Sequence, residues 1–250
     1  MENSRLIYDL HTHTTYSHGK GSIADNAAAA AAAGLSVLGI ADHGPGHLGF
    51  GLDIKKVPQM RADIEALKGR FPGLEVRLGV EANIINPSGE LDVSKEEQKL
   101  FDFIVAGYHY GTLGEKPLKA AGVMLGGYWY EMTGKSSRTA LVYNTDLVLA
   151  ALYSNDIKVL SHPGEKAPFD IDAIAKACEE TGTLMEINNK HNCLTAEGIR
   201  TAMKYDVSFI LGSDAHVPGD VGATNRAWPR VIESGLDTSR IVNLRREADR

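Results

Sequence analysis

Two histidines separated by a single residue lie close to the start of the chain, in the segment Asp-Leu-His-Thr-His at positions 9–13. Side chains two positions apart on a β-strand point to the same face. On a strand, His11 and His13 would therefore direct both imidazoles at one point. Imidazole nitrogen is a common ligand of zinc and iron, so the pair is a first, moderate indication of a metal site.

Seven further side chains of metal-binding type follow short apolar runs elsewhere in the chain. They are His18, His43, Glu81, His109, His162, Asp214 and His216. A single buried histidine is more often a hydrogen-bonded core residue than a ligand. With the first pair included, however, seven of the nine histidines follow such runs or lie in the loop after one. This regularity favours a metal cluster over scattered core histidines.

Nine ligands are more than one ion requires. Three protein ligands and one water complete a catalytic zinc site, so the set predicts two or three divalent ions with a bridging carboxylate. Water bound to such ions has its pKa lowered toward ~7, and ions ~3.5–4 Å apart can clamp phosphoryl oxygens. We therefore predict a hydrolase that cleaves a phosphate ester with metal-bound hydroxide, its water held by Glu81, Asp214, His216 and their neighbours.

The apolar runs that precede these side chains alternate with segments of helical periodicity. The runs predicted as strands are 6–10, 37–41, 76–80, 103–107, 159–161, 184–187 and 208–211. The segments predicted as helices are 25–33, 59–70, 139–153, 170–181 and 195–205. This alternation predicts βα units and a parallel α/β barrel. Because all strands of such a barrel end at one rim, ligands over two hundred positions apart would meet there.

No break in composition divides the chain, and we predict a single barrel domain over residues 1–250. The longest departure from the βα pattern is an insertion rich in glycine and aromatic residues at about 110–137. Long loops in compact domains are often functional. The insertion could form a lid or a substrate wall, and an added helix that merely covers the barrel is an equal alternative.

The composition of the chain limits its expected binding partners and its expected cellular compartment. The net charge of −6, without a Lys/Arg-rich run, argues against strong nucleic-acid binding. No apolar run approaches the ~20 residues that span a bilayer, and no export signal precedes position 9. The two cysteines, Cys178 and Cys193, cannot build a disulfide framework. We expect a cytoplasmic enzyme with a small phosphorylated substrate and no membrane association, whereas the oligomeric state cannot be read from the sequence.

Four further polar side chains are candidates for substrate contacts at the rim. They are Lys190, His191, Arg226 and Arg138. Each of the three cations is individually better explained as a solvated surface charge, and for His191 the two explanations are balanced. His47 follows Gly-Pro-Gly after the second strand, and a surface position is slightly favoured over one at the mouth of the site.

The motifs resemble those of the PHP (polymerase and histidinol phosphatase) family. The resemblance rests on Asp-Leu-His-Thr-His at 9–13, Asp42-His43, Glu81, His109, Ser-His-Pro at 161–163 and Ser-Asp-Ala-His at 213–216. It runs through nearly the whole chain and looks like a stand-alone member rather than a polymerase fragment. The resemblance implies a distorted TIM-like (β/α)7 barrel with a trinuclear centre of zinc, manganese or iron.

The resemblance also implies how the ligands are shared. One ion would be held by His11, His13, Glu81 and Asp214, a second by Glu81, His109 and His162, and a third by His18, His43 and His216. Many relatives have aspartate where His18 aligns, and imidazole there shifts the third site toward zinc or iron and away from magnesium. Histidinol phosphate is the namesake substrate of small stand-alone members, but fold does not fix the substrate.

Two other functions compete with phosphoester hydrolysis. Amidohydrolases also place two histidines, one residue apart, at the end of a first barrel strand, and they cleave C–N or carboxylic ester bonds. Their fourth strand normally carries a bridging lysine, whereas here it ends in His109 and the third ends in Glu81, which fits a phosphoesterase better. The last alternative is a non-catalytic module stabilised by metal, and the intact ligand set argues against it.

Overall fold

A seven-stranded parallel sheet forms the centre of the computed structural model, which describes residues 4–109, 129–130, 132–133 and 135–246. The chain opens with a short strand, β1 (Ser4–Leu6), which lies outside this sheet. The central strands, in both chain and spatial order, are β2 (Tyr8–Thr12), β3 (Val37–His43), β4 (Glu75–Asn83), β5 (Phe103–Gly107), β6 (Val159–Leu160), β7 (Leu184–Asn188) and β8 (Phe209–Gly212). All seven predicted strands are present, so the predicted α/β barrel is confirmed.

Helices connect the strands. The described helices are α1 (Ile23–Ala32), α2 (Val57–Glu65), α3 (Lys95–Gln98), α4 (Arg138–Ser154), α5 (Ile171–Thr181), α6 (Ala196–Ala202) and α7 (Trp228–Ser234). The five predicted helices are found, but α2 and α6 end earlier than expected. Beyond both ends the backbone bonds join residues three apart, as in Lys68 N–H to Glu65 and Tyr205 N–H to Ala202. The last turns therefore tighten and leave the α-helical pattern.

Short elements outside the repeat were not predicted. Strand β9 (Leu244–Arg246) returns along β1 in antiparallel pairing, and three-residue strands show too little periodicity to be recognised in a sequence. Helices α3, of four residues, and α7, of seven, were not predicted either. The predicted insertion at 110–137 lies for the most part outside the described residues. None of the described helices is long and apolar enough to cross a membrane.

Contacts between the first and last central strands nearly close the barrel. The ladder itself runs from β2 to β8 without joining its two edges, but Thr12 and Ala215 form an isolated parallel bridge just beyond the end of β8. The His13 amide donates to the Ala215 carbonyl at 2.8 Å. Closure at this rim brings the residues that follow β2 beside those that follow β8.

A layer of apolar side chains fills the barrel below that rim. It consists of Leu10, Ala41, Val105, Val159, Leu184 and Ile210, one from each of six strands. Alternate residues of a strand share a face, so the side chains two positions further along β3 and β7, His43 and Glu186, point into the barrel directly above this layer. The layer thus forms the floor on which polar side chains of the rim rest.

Candidate metal centre

Glu81 lies at the centre of the polar cluster above the floor, and its carboxylate is fully buried. Its Oε1 atom lies 2.8 Å from Nε2 of His162, 3.4 Å from Nε2 of His11 and 3.4 Å from Nε2 of His109. Its Oε2 atom lies 2.7 Å from Nδ1 of His43. Four strand ends therefore deliver an imidazole to one carboxylate.

Asp214 lies on the other side of the cluster, close to three imidazoles. Its Oδ1 atom lies 3.3 Å from Nε2 of His13, 3.2 Å from Nδ1 of His216 and 4.0 Å from Nε2 of His11. His13 Nε2 is also 3.7 Å from Glu81 Oε2. The two carboxylates are thus linked through the first histidine pair, as a shared multinuclear site requires.

Four of these distances, from Glu81 Oε1 to His11 and His109 and from Asp214 Oδ1 to His13 and His216, suit two atoms bound to one ion. Glu81 Oε1 and His162 Nε2, 2.8 Å apart, form a direct hydrogen bond instead. Several buried atoms have no hydrogen-bond partner: His11 Nε2, His13 Nδ1 and Nε2, His43 Nδ1, His109 Nδ1 and Glu81 Oε2. Two atoms bound to one tetrahedral zinc at ~2.0–2.1 Å lie roughly 3.3–3.4 Å apart, close to the distances above. Buried polar atoms are rarely left unpaired without a reason, and a bound ion would satisfy them.

Four groups of three ligands each have their donor atoms within 4.8 Å of one another. The groups are His11, His13 and Asp214; His11, Glu81 and His162; His43, Glu81 and His109; and His13, His43 and His216. Neighbouring groups share members, so the groups form one continuous cluster. The donor set therefore fits divalent metal ions, more than one of them.

The backbone is strained at two of these positions. His162 has φ 27° and Asp214 has φ 52°, both in the left-handed region that non-glycine residues seldom adopt. Such conformations cost of order 1–3 kcal/mol each and cluster at functional sites. Each of them lies two residues beyond the end of a strand, β6 for His162 and β8 for Asp214. Gly107 leaves space for the Ser161 side chain, because a Cβ atom at position 107 would collide with Ser161 Oγ.

The electrostatics of the cluster keep its carboxylates ionised. Burial opposes the charge of Glu81, yet the imidazoles of His109, His11 and His43 hold its pKa well below the usual range. Burial likewise opposes ionisation of Asp214, and the neighbouring imidazoles of His11, His13 and His216 keep its pKa well below normal. Ionised carboxylates are the form that binds metal.

Several of the imidazoles are correspondingly neutral. Burial, and then the neighbouring His43, lower the pKa of His13 well below its usual range. Burial also lowers the pKa of His109 well below its usual range. For His18, burial and the charge of His216 lower the pKa to about 4. Neutral imidazole offers a lone pair, which is the state required of a ligand.

His11 and His162 show the opposite behaviour. Burial lowers the pKa of His11, but Glu186, Glu81 and Asp214 together raise it well above its usual range, and Glu81 has the same effect on His162 against the influence of burial. A group of buried carboxylates requires positive charge nearby. Without metal, protons on these imidazoles supply that charge, and bound ions would replace them.

His18 lies beside the cluster, although none of the four ligand groups includes it. Its ring stacks on His43 at 4.9 Å between centroids and lies 4.3 Å from the ring of His216. Its Nδ1 atom is buried without a hydrogen-bond partner. The three histidines that the family resemblance implies for a third ion are therefore neighbours, and a ligand role for His18 stays a prediction.

The preference for a surface position of His47 was wrong. Its ring is only partly exposed and stacks on His43 at 4.5 Å, with His109 at 5.4 Å. Burial and His43 lower its pKa to about 4. The loop that carries it folds inward because Asp92 accepts a hydrogen bond from Gly46 N–H, a long-range contact that local sequence does not reveal.

The predicted substrate contacts fall at different distances from the cluster. Lys190 Nζ lies 3.0 Å from Nδ1 of His216, and His191 Nε2 lies 3.4 Å from Oδ2 of Asp214. Arg226 is exposed and lines a cavity of about 200 Å³ together with Lys190 and Asp214. Arg138 is exposed in the first turn of α4, and no contact within the described part of the chain joins its side chain to the cluster.

Two buried carboxylates behind the proposed ligands were given no role in the sequence analysis, although Asp42 belongs to one of its motifs. Asp42 accepts hydrogen bonds from Thr14 N–H at 2.7 Å and from the hydroxyls of Thr14 and Ser17, which fixes the loop leading to His18. Glu186 accepts a hydrogen bond from Nδ1 of His11 at 2.8 Å. An acidic residue inside an apolar strand, as Glu186 is in β7, was the available signal.

Comparison with known proteins identifies the family. The model of the PHP domain matches residues 9–190, which is well over half of the chain. The chain belongs to the PHP family. The matched region includes seven of the nine predicted ligands, and Asp214 and His216 follow it. The cluster described above is therefore where the trinuclear centre implied by the family resemblance would lie.

Curated relatives extend over nearly the whole chain. A protein of Acetivibrio thermocellus named "probable phosphatase" is 28% identical over 96% of this chain and 91% of its own. A protein of Thermoanaerobacter sp. with the same description is 27% identical over the same shares. The likeness of this PHP protein to both therefore includes the segments that carry Asp214 and His216.

Two solved structures share the fold. A candidate histidinol phosphatase from Listeria monocytogenes superposes with a TM-score of 0.63 at 15% identity, covering 86% of this chain and 97% of its own. The histidinol phosphate phosphatase of Lactococcus lactis, solved with zinc, L-histidinol and phosphate, gives 0.54 at 16% identity, covering 91% and 90%. Both support the distorted TIM-like barrel described above.

Proposed function

We propose that this PHP protein hydrolyses phosphate monoesters of small molecules at a centre of two or three divalent metal ions. The convergence of unpartnered imidazole nitrogens on Glu81 and Asp214 carries the proposal. When bound, such ions ionise a water near neutral pH and neutralise the charge of phosphoryl oxygens. The names of the relatives, phosphatases and histidinol phosphatases, support this reaction over amide hydrolysis.

The chain's own residues would share the ions through its two carboxylates. Glu81 belongs to two of the ligand groups, and His43 joins one of them to the group that contains His216. We therefore propose nine ligands: His11, His13, His18, His43, Glu81, His109, His162, Asp214 and His216. Their strands fix them to the barrel, so the site is organised before substrate arrives.

The cluster is rich in nitrogen ligands, which bears on the choice of ion. Seven imidazoles and two carboxylates suit zinc or iron better than magnesium, which prefers oxygen. The zinc in the Lactococcus lactis structure supports zinc here as well, with manganese and iron as the alternatives.

Cationic side chains at the rim would bind the phosphate itself. Lys190 reaches the cluster from the cavity side, and Arg226 lines the same cavity further out. An ammonium or guanidinium group forms charge-assisted hydrogen bonds with phosphate oxygens. His191 could donate to the ester oxygen from the opposite side of Asp214. We leave Arg138 as the weakest of these assignments because it contacts none of the described cluster residues.

The cavity beside Asp214 has room for a small substrate. Its volume of about 200 Å³ accommodates a small phosphorylated molecule, which supports a metabolite rather than a nucleic acid as the partner. Cys178 and Cys193 form no disulfide with each other, which suits the reducing cytoplasmic location that we propose.

The decisive experiment measures metal content and substrate class on one sample. Protein purified without chelator is analysed for metals and assayed on phosphomonoesters, phosphodiesters, carboxylic esters and amides. His43→Ala and Asp214→Ala test the cluster, and Glu75→Ala, an exposed residue at the start of β4, is the control. We expect two or three equivalents of metal, with phosphomonoesterase activity lost in the first two variants and kept in the third.

Other outcomes would change the conclusion in defined ways. Near-zero metal in protein grown with ample zinc and manganese would refute the centre itself. Full metal with turnover only of amides or carboxylic esters would keep the centre and reassign the reaction to the amidohydrolase class. Full metal without turnover of any ester or amide would favour the non-catalytic module.

A further inference from the structure

Glu186 is a fully buried carboxylate in the centre that is not one of the proposed ligands. It lies in β7, and both of its oxygens are already occupied. Oε1 accepts a hydrogen bond from Nδ1 of His11 at 2.8 Å. Oε2 accepts from the backbone N–H of His162 at 2.9 Å and from Nδ2 of Asn188 at 2.8 Å. Three donors therefore converge on one acidic side chain.

The bond to His11 fixes the form of that imidazole. In the neutral, metal-binding form of His11, a carboxylate that accepts from Nδ1 requires the single ring proton there, which leaves the lone pair on Nε2. Nε2 is the atom that lies 3.4 Å from Glu81 Oε1 and has no hydrogen-bond partner. Glu186 thus sits on the far side of the His11 ring from the position an ion would occupy.

Through its hydrogen bonds with His162 and Asn188, Glu186 also supports two further proposed ligands, His162 and Asp214. His162 has the strained backbone with φ 27°, and the bond from its N–H holds that turn in place. Asn188 donates from the same Nδ2 atom to Asp214 Oδ2 at 3.3 Å. One carboxylate therefore supports three proposed ligands, on β2, after β6 and after β8.

The barrel makes room for this side chain at a specific place. A Cβ atom added to Gly212, the neighbour of Asn188 in the ladder between β7 and β8, would overlap Glu186 Oε1. Glycine at position 212 is thus needed for the carboxylate to reach His11. Packing against Gly212 and the three hydrogen bonds therefore hold the Glu186 carboxylate in the same position.

We propose that Glu186 is a positioning residue of the metal centre, which holds His11 as the Nδ1–H tautomer and orients it for metal binding through Nε2. A carboxylate behind a metal-binding histidine raises its basicity and fixes its ring, and loss of such a partner typically lowers metal affinity 10–100-fold. This inference needs the ions of the proposed function but does not depend on which ester is hydrolysed.

The first test reads the tautomer directly in the unaltered protein. Long-range 1H–15N correlation spectra of the zinc-loaded protein distinguish a protonated Nδ1 from a protonated Nε2. We expect the His11 ring to carry its proton on Nδ1, in a hydrogen bond that shifts the proton resonance downfield. A proton on Nε2 would overturn the proposal, and no variant has to fold for this measurement.

The second test weakens the carboxylate without changing its size. In Glu186→Gln one oxygen becomes an amide donor, so three donors can no longer all find an acceptor. We expect zinc affinity, measured by competition with a chromophoric chelator, to fall 10–100-fold. The control is Asp102→Asn, which makes the same carboxylate-to-amide change at a side chain that accepts from Leu78 N–H and Arg61, away from the ligands.

A third variant displaces Glu186 and leaves its charge intact. Gly212→Ala places a methyl group where Oε1 lies, and we expect the same loss of zinc affinity. Circular dichroism and thermal unfolding of the zinc-free proteins verify that each variant is folded. Zinc affinity within twofold of the unaltered protein in folded Glu186→Gln would overturn the proposal. Normal zinc binding without phosphatase activity in the unaltered protein would instead refute only the proposed function.

Discussion

Oε2 of Glu81 and Nδ1 of His43 lie 2.7 Å apart, yet neither atom has a hydrogen-bond partner. The two residues are also paired across β3 and β4, so the sheet itself holds them together. Buried polar atoms without a partner carry a desolvation cost, which a metal ion bound by both residues would offset. The metal-free protein should therefore carry a cost that metal relieves.

Removal of the metal should destabilise the fold. A ligand that binds only the native state adds about 2.7 kcal/mol at a hundred times its Kd, which for a chain of this size corresponds to roughly 5–11 °C in Tm. We expect dialysis against a strong chelator to lower Tm by at least this amount and to abolish activity. Zinc added back should restore both. Calorimetry with and without chelator checks this, and an unchanged Tm would contradict an ion-dependent core.

A bridging role of Glu81 can be distinguished from the general effect of removing one negative charge from the protein. Glu81→Gln removes the shared anion of two ligand groups, and we expect the loss of at least one metal equivalent and a fall in kcat/KM of at least about a hundredfold. Glu75→Gln makes the same change on the same strand at its exposed start. Equal metal content in the two variants would show that Glu81 does not bridge.

The sequence predicted those strands and helices whose apolar residues show the period of the element. The apolar strands that contain Ala41, Val105 and Ile210 could be recognised from their residue types, and the proposed ligands His43, His109 and Asp214 lie at the ends of these strands or two residues beyond them. The β1–β9 pairing, the inward fold of His47 and the support from Glu186 depend on residues far apart in the chain. No local pattern encodes such contacts, so only the three-dimensional fold shows them.

Lys190 offers a test of phosphate binding. Its Nζ atom lies 3.0 Å from His216 and 3.5 Å from Asp214, where a phosphate bound to the centre would meet it. Lys190→Met should raise KM for a phosphomonoester and the inhibition constant of inorganic phosphate by about tenfold, since a charge-assisted bond contributes ~1.5 kcal/mol. Steady-state kinetics checks this, with Lys204→Met, a surface lysine paired with Asp172, as the control. A fall in kcat with unchanged KM would indicate a role in turnover instead.

The thiol of Cys178 should be inert in the folded protein. It is buried on α5, and burial raises its pKa from 9.0 to about 12. An acid whose folded pKa is raised destabilises the fold as pH rises, here above about 9, where the unfolded thiol ionises first. We expect iodoacetamide at pH 8 to modify Cys178 only in denaturant, as measured by mass spectrometry of its peptide. Modification at the same rate in the native state would contradict the burial.

Asp42 should support both the fold and one metal position. It accepts hydrogen bonds from Thr14 N–H and Thr14 Oγ1, which are buried, and from Ser17. Asp42→Ala leaves these donors without an acceptor, and we expect a loss of about 2–3 kcal/mol in the free energy of unfolding. The loop to His18 would loosen, so the ion nearest to His18 should be the first one lost.

The matched control for Asp42 is Asp53→Ala. Asp53 is exposed, and within the described part of the chain it accepts a hydrogen bond from Lys55 N–H alone, so its loss should cost about 1 kcal/mol or less. Chemical denaturation gives the two free energies, and elemental analysis gives the metal content of each variant. If Asp42→Ala lost stability but kept every metal equivalent, its hydrogen bonds would serve the barrel alone. If Asp42→Ala kept both its free energy of unfolding and its full metal content, other contacts would hold the loop to His18.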